Sequence, residues 1–259
     1  MKKRKRFLSL LTVLCMLLTM FPLSSLTAFA VDGSLAGSGT ADDPYLIADA
    51  ADLKAFRDIV NGGDEYACAV LTADIVLNEN FNQTLFGENE DGNITYNGST
   101  DIPDFEQWTP IGNLSSRYSG TFDGNGHTVS SIYINTSSSH QGLFGCVSGG
   151  TIENLGVINS YISGSNISGG VVGGLDQSGT ITNCYNAGMI SGDFYIGGVA
   201  GFVNTDASTI TNCYNTGTVS GNFYIGGVAG FFVSDAGIQN SYNVGMVIGT
   251  ESVGGVAGY

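Results

Sequence analysis

Positive charge is almost missing from this sequence once its first six residues are set aside. Of the eight Lys and Arg among 259 residues, five are Lys2, Lys3, Arg4, Lys5 and Arg6, and the others are Lys54, Arg57 and Arg117. Binding to phosphate backbones or to anionic lipid surfaces needs such groups, so nucleic acid and anionic membranes are excluded as partners. Cysteine is scarce too. Beyond Cys15 there are only Cys68, Cys146, Cys184 and Cys213, too few for a disulfide scaffold at this length. The two histidines, His127 and His140, do not form an H-E-x-x-H pair, so a zinc-peptidase motif is absent. No 3.6-residue apolar period runs through residues 118–259, which disfavours a helical solenoid.

What the chain does have begins with an export signal. MKKRKR is followed by an apolar run and the small-residue ending Ala28-Phe29-Ala30, so residues 1–30 read as a signal peptide cleaved after Ala30. An uncleaved membrane anchor is the alternative, disfavoured by Pro22 and the A-x-A ending. Cys15 lies inside the apolar run, the wrong place for a lipid-modified cysteine. Cleavage leaves three cations against 23 carboxylates, a formal charge of −20.

Glycine is abundant, 39 residues, without a collagen period, in a chain of positive mean hydropathy. That describes a folded, turn-dense, mostly β protein. TITNCYNAGMISGDFYIGGVAGF at 180–202 returns at 209–231 with only four of 23 positions changed: Ala187/Thr216, Met189/Thr218, Ile190/Val219 and Asp193/Asn222. Ile152, Ile181, Ile210 and Ile238 open equivalent segments 29, 29 and 28 residues apart. A G-x-x-G marker keeps the same phase at 142–145, 170–173, 198–201, 227–230 and 255–258. Three short strands per period, separated by bends, describe one coil of a parallel β-helix whose core is completed by its neighbours.

Stacked coils place like side chains in columns. Asn154, Asn183, Asn212 and Asn240 are expected to form a buried column at a bend. Ile190, Val219 and Val247 are expected to point inward. Met189, Thr218 and Met246, with Ala187, Thr216 and Val244, are expected outside. The glycine pairs 197/198, 226/227 and 254/255 mark places without room for a Cβ. Cys184 over Cys213 is expected to be a buried thiol ladder, because in-register parallel neighbours aim their Cβ atoms the same way.

The front half departs from the period. DAADLKAFRDIVNGG, 49–63, puts Leu53, Phe56, Ile59 and Val60 on one helical face, with Asp49 as N-cap and Gly62-Gly63 as the stop. Such a helix is expected to cover the open end of the solenoid. TADIVLN, 72–78, and HTVSSIYIN, 127–135, read as strands of irregular early coils. Residues 79–107 read as a polar, acidic, projecting loop. The expected divisions are therefore 1–30 signal peptide, 31–66 capping segment, 67–150 irregular coils and 151–259 repeats.

GSGTADDPYLIADAADLKAFRDIVNGG, LTADIVLN, WTPIG, YSGTFDGNGHTVSSIYI and GLFG together resemble bacterial surface proteins with GLUG-motif repeats, across residues 37–259. The later copies keep the type of the motif but replace its Leu and Phe. The resemblance implies a right-handed parallel β-helix, all-β apart from the capping helix, secreted or on the cell surface and often part of an adhesin. Such repeats also accompany the zinc peptidase domain of some immunoglobulin A-cleaving enzymes. The resemblance brings no catalytic residues with it.

No catalytic, cofactor or metal site is expected from the residues either. Asp206 and Asp235 occupy equivalent turns and would suit paired carboxylates, but Asp in a turn more commonly serves local hydrogen bonds. His127, which closes the DGNGH corner, and His140 read as exposed loop residues. GENEDGN, 87–93, is acidic but lacks calcium-loop spacing. FDGNGH reads as a hairpin or coil corner, not a phosphate loop. The leading expectation is a non-enzymatic extracellular region, a stalk or an adhesive surface, whose partners would be host glycan or protein, or cell-wall components. Tyr195, Tyr224 and the acidic insertion are the contact candidates. The alternative is the front of a larger peptidase or carbohydrate-active enzyme. The chain stops at Tyr259 straight after GVAG, which reads as a truncated product.

Overall fold

The structure, a computed structural model, describes residues 35–88, 94–204, 207–233 and 237–259. The expected signal peptide lies outside these residues. Seven short strands stack in parallel to form one face, A: Tyr45–Ile47, Ala69–Leu71, Thr121–Asp123, Thr151–Glu153, Thr180–Thr182, Thr209–Thr211 and Gly237–Gln239. Each opens one coil of a β-solenoid of seven coils. Face B follows it around the coil, from Ile75–Val76 to Val247–Ile248. Face C holds Asn166–Gly169, Phe194–Gly197, Phe223–Gly226 and Glu251–Gly254, and face D holds Phe144–Ser148, Val172–Asp176, Ala200–Val203 and Ala229–Phe232.

The repeat phase becomes the strand register: Ile152 pairs with Ile181, Ile181 with Ile210 and Ile210 with Ile238. Alternation in Thr-Ile-Thr sends each isoleucine inward and the threonines outward, where Thr180 Oγ1 donates to Thr151 Oγ1 at 3.1 Å. The core is thus a set of apolar columns, among them Ile162, Ile190 and Val219, and Val171, Val199 and Val228, all essentially solvent-free. Each such side chain contributes about 1.5–3 kcal/mol by leaving water, and no coil buries its own without the next. Val247 joins this column half-buried, while Val244 and Met246 are exposed, as their alternation requires.

One α-helix, α1 (Ala50–Asn61), occurs among the described residues. Asp49, extended at φ −152°, accepts the N–H groups of Ala51 and Asp52 through its carboxylate, and Gly63 at φ +114° ends the last turn. Leu53, Phe56 and Val60 are buried in the same core as the coils. Phe56 meets Tyr118 edge-on at 6.0 Å and Phe122 at 5.7 Å. The helix takes the place of three strands in the first coil, so its apolar face closes the core at that end.

The expected close approaches at the glycine pairs are present except at Gly255, where a Cβ would meet open space. A Cβ on Gly197 would run into the Ala200 carbonyl oxygen, and one on Gly198 into that of Gly227. The cysteine ladder also forms. All four cysteines of the described residues are free and buried, and the Cys184 N–H points at Cys213 Sγ, 3.4 Å away. FDGNGH turns the corner from face A to face B, with Asn125 and Gly126 at positive φ.

Two expectations need correction. Asn154, Asn183 and Asn212 do form a column, linked Asn212 Nδ2 to Asn183 Oδ1 at 3.1 Å and Asn183 Nδ2 to Asn154 Oδ1 at 2.9 Å. It is not buried: Asn183, Asn212 and Asn240 are exposed. All four sit at φ +50° to +55°, a left-handed corner that asparagine tolerates better than other side chains. The buried ladder is Asn186–Asn215–Asn243, with amide-to-amide bonds of 2.7 and 2.8 Å. Asn186 and Asn215 are fully enclosed, while Asn243 is half-buried. Each of the three also closes the backbone turn two residues on, at Gly188, Gly217 and Gly245.

The described parts of the expected loop, 79–88 and 94–107, do not project. A strand pair, Phe86–Glu88 with Ile94–Tyr96, folds back over face B. There Phe81 and Phe86 are buried with Tyr133 and Tyr161, and Phe86 stacks on Tyr161 at 4.3 Å and 11°. The strand Gly156–Ser163 has a bulge between Ile158 and Tyr161. Gln83 fills it, accepting from Ser160 N at 2.8 Å and donating to Ala187 O at 2.8 Å. The acidic residues obscured a small aromatic core in the sequence: Phe81, Phe86, Ile94, Tyr96, Ile102 and Phe105 need a surface to cover.

Candidate functional site

Two columns run side by side where face C turns into face D. The first holds His140, Ile167, Tyr195, Tyr224 and Ser252, aligned by the register of the residues that follow them. All five have φ between +54° and +61°, a costly conformation for the β-branched Ile167. The second column is Cys146, Gly174, Phe202, Phe231 and Tyr259.

In the last three coils these columns are a ring stack. Phe202 lies over Phe231 at 5.2 Å and 6°, and Phe231 over Tyr259 at 5.3 Å and 14°. Tyr195 stacks on Tyr224 at 5.1 Å, and each turns an edge to the phenylalanine column, Tyr195 to Phe202 at 5.3 Å and Tyr224 to Phe231 at 5.5 Å. The two tyrosines singled out from sequence are therefore half-buried parts of a packed ladder. They offer solvent edges and hydroxyls, because their faces are used in stacking.

The phenylalanine column stops at Gly174. Its rung is taken by the His140 imidazole, whose Cδ2 would lie 3.2 Å from a Cβ at Gly174. Beside it a recess of about 140 Å³ opens. The ring of Phe202 bounds one end, and the fourth coil supplies no aromatic partner for the ring face turned toward Gly174. Asp176 and Asn204 stand on the rim.

A loop from the second coil overhangs this recess. Ile111 pairs with Phe144 and Tyr118 with Val147, so residues 112–117 are extra to the face D rung. Asn61, the last residue of α1, holds the loop base: its Oδ1 accepts from Gly112 N at 2.8 Å and its Nδ2 donates to Pro110 O at 3.0 Å. Asn113 closes the loop by accepting from Ser115 N and Ser116 N. This sets Arg117 over the recess, where Nη1 donates to Asp176 Oδ2 at 3.0 Å. The pair is partly solvated, with 40% and 21% of the side chains exposed, so it contributes on the order of 1 kcal/mol while fixing both groups.

Contrary to expectation, His140 is half-buried in this wall. Burial, with the nearby Arg117 cation, holds its pKa below the usual imidazole value and keeps it neutral. Cys146 lies at the floor, and burial pushes its thiol up to about 11. Burial likewise pushes the Cys184 thiol well up. These are inert thiols, since the thiolate is the reactive form. His127 is also half-buried, with Nδ1 3.4 Å from Asp74 Oδ1. Arg117, Asp176, Asn204 and Phe202 had no individual signal in the sequence. One was available: the residue after each G-x-x-G reads Cys, Gly, Phe, Phe, Tyr, and the glycine marks the missing rung.

Of the other candidates, Asp206 and Asp235 lie outside the described residues, as do 89–93 of the acidic GENEDGN stretch. Among the described residues, no three His, Cys, Asp or Glu side chains converge as a metal-ligand set. The recess holds one carboxylate, whereas hydrolysis by paired carboxylates requires two.

Comparison with known proteins agrees with this architecture. The family model of the GLUG motif matches residues 192–220. Over 174 residues, 66% of this chain, it is 36% identical to halomucin of Haloquadratum walsbyi. It is 28% identical over 166 residues to a "Putative Gly-rich membrane protein" of Evansella cellulosilytica. The chain spans 2% and 17% of the lengths of these two relatives. A crystal structure of a "putative immunoglobulin A1 protease" from Bacteroides ovatus superposes with a TM-score of 0.65 at 25% identity, over 85% of this chain and 63% of the other.

Proposed function

Because the chain carries the GLUG motif within a seven-coil β-solenoid, we propose that it is a non-enzymatic, extracellular adhesive segment of a larger surface protein. The observation that carries this reading is the division of labour within each coil. Inward positions keep their apolar type from coil to coil, while the position after G-x-x-G, buried as Cys146, becomes partly or fully exposed in later coils and reads Gly174, Phe202, Phe231 and Tyr259. A surface that differs from coil to coil on a constant core suits recognition. The printed descriptions of the relatives, a mucin-like name and a membrane protein, support a surface setting, and among the described residues no helix is long and apolar enough to cross a membrane. A second reading, support for a neighbouring protease domain, is favoured by the Bacteroides ovatus likeness alone.

The test is adhesion of beads coated with the full chain to immobilised mucin, cell-wall polysaccharide and host extracellular protein. Retention on at least one surface, lost after heat unfolding, is expected. Equal retention of native and unfolded coats on every surface refutes adhesion. Cleavage of immunoglobulin A by the chain would refute the non-enzymatic reading.

A further inference from the structure

We propose that the recess at Gly174 is a carbohydrate subsite that takes one neutral pyranose ring, stacked against Phe202 and hydrogen-bonded by Asp176, Asn204 and Arg117. The inference rests on the adhesive reading and gives it a ligand class.

Three observations argue for it. First, the recess is made by an omission. Phe202 stacks on Phe231 on one side; at Gly174 the fourth coil supplies no ring and the smaller His140 imidazole leans over that position, so among the described residues no second ring stacks on Phe202 from that side and the recess opens beside it. A recess bounded by an aromatic ring at one end suits a flat ligand with C–H groups on one side, as a sugar ring has. Second, the rim carries the complementary polar set. Asp176 and the Asn204 carbonyl oxygen accept from hydroxyls, and the Arg117 and Asn204 N–H groups donate to them. The Arg117–Asp176 pair, held by the Asn61-anchored loop, is organised before any ligand arrives, which lowers the ordering cost of binding. Third, the charge selects a neutral ligand. Arg117 is already paired with Asp176, and the chain after residue 30 carries −20, so a uronic or sialic acid would meet repulsion with no free cation to offset it. The volume of about 140 Å³ suits one ring, not a chain of them.

The test is saturation-transfer NMR on the full chain with methyl glycosides of glucose, galactose, mannose and N-acetylglucosamine, and methyl glucuronide as the acidic counterpart. Irradiating aromatic protons is expected to saturate the axial C–H face of at least one neutral glycoside, with Kd on the order of 1 mM. Gly174→Phe crowds the recess with a ring set against the His140 imidazole. Should it fail to fold, Phe202→Leu removes the aromatic face at similar size, and Asp176→Asn keeps the shape while removing the charge. Each folded variant, with circular dichroism unchanged, is expected to weaken binding at least tenfold, while Thr216→Ala on face B leaves it intact. A glycoside that binds wild type and these recess variants equally overturns the subsite without touching adhesion. Binding of no neutral glycoside, or of the glucuronide alone, overturns the carbohydrate inference. If beads adhere to protein surfaces in that case, the adhesive reading survives.

Discussion

Replacing Asn215 by Ala tests whether the solenoid depends on its enclosed polar ladder. The Asn215 amide makes four hydrogen bonds. Nδ2 donates to Gly217 O at 2.9 Å and to Asn243 Oδ1 at 2.8 Å, while Oδ1 accepts from Asn186 Nδ2 at 2.7 Å and Gly217 N at 3.2 Å. At 0.5–1.5 kcal/mol net per bond, their sum lies between about 2 and 6 kcal/mol. Asn186 keeps its bond to Gly188 O, and Asn243 still accepts from Gly245 N, so neither partner is fully stranded and the lower half of that range applies. The expected loss is about 3 kcal/mol, or a fall in Tm of about 6–12 °C for a chain of this size. Coils stabilise only their neighbours, so hydrogen exchange should accelerate first in the sixth and seventh coils. The comparison is Asn212→Gly in the exposed ladder. Glycine accepts the φ of +55° there and one solvated amide bond is lost, for about 0.5 kcal/mol. Urea unfolding of both variants, followed by circular dichroism, is the assay. Equal losses in the two would refute the claim that the inner ladder, and not the outer one, supports the fold.

Four further outcomes are expected. Cys146 is held protonated when folded, at about 11 against 9.0 for a free thiol. The unfolded chain therefore gives up this proton first, and stability present below pH 9 is lost as pH rises toward 11. Unfolding at pH 8 and 11 should show wild type losing roughly 2–3 kcal/mol more than Cys146→Ala. Gly197→Ala forces a Cβ onto the Ala200 carbonyl oxygen and should cost more than about 3 kcal/mol or prevent folding. Gly237→Thr, which restores the residue of the three preceding coils at a site with only ordinary contacts near a Cβ, should stabilise by about 0.5 kcal/mol; a melting curve separates the two. Gln83→Ala removes the bulge-filling bonds to Ser160 and Ala187, and should speed proteolysis within 79–107 at least fivefold; unchanged cleavage would show that aromatic packing alone holds the insertion.

How much of this could be read in advance depended on whether a residue recurred. Ile152, Ile181, Ile210 and Ile238 appear once per coil, and their period alone placed the last four strands of face A and their register. The helix was legible because Asp49, the Leu53–Phe56–Val60 stripe and Gly63 state its start, face and stop locally. The two asparagine columns show the limit. Asn183 and Asn186 both repeat at one period, and nothing in the repeat says which faces inward; that is settled by the corner, which gives Asn183 a left-handed backbone and turns Asn186 toward the Gly188 turn. The recess was still less visible, because it joins Asn61, Arg117, His140, Asp176 and Phe202 from separate coils, and its central feature is a side chain that Gly174 does not have.

The missing ring at Gly174 also has a consequence for how such a surface changes. Phe202 and Phe231 lie outside the core cluster that holds Leu175 and Val203, so a ring or a glycine at this position in a coil changes the recess while the inward column keeps its residues. Successive coils lie about 4.8 Å apart, so each exchange moves the cavity by one fixed step along the axis. Position along the solenoid then acts as an address written by one residue per coil, and a single substitution can shift where the molecule is open while the rest of the ladder keeps its order.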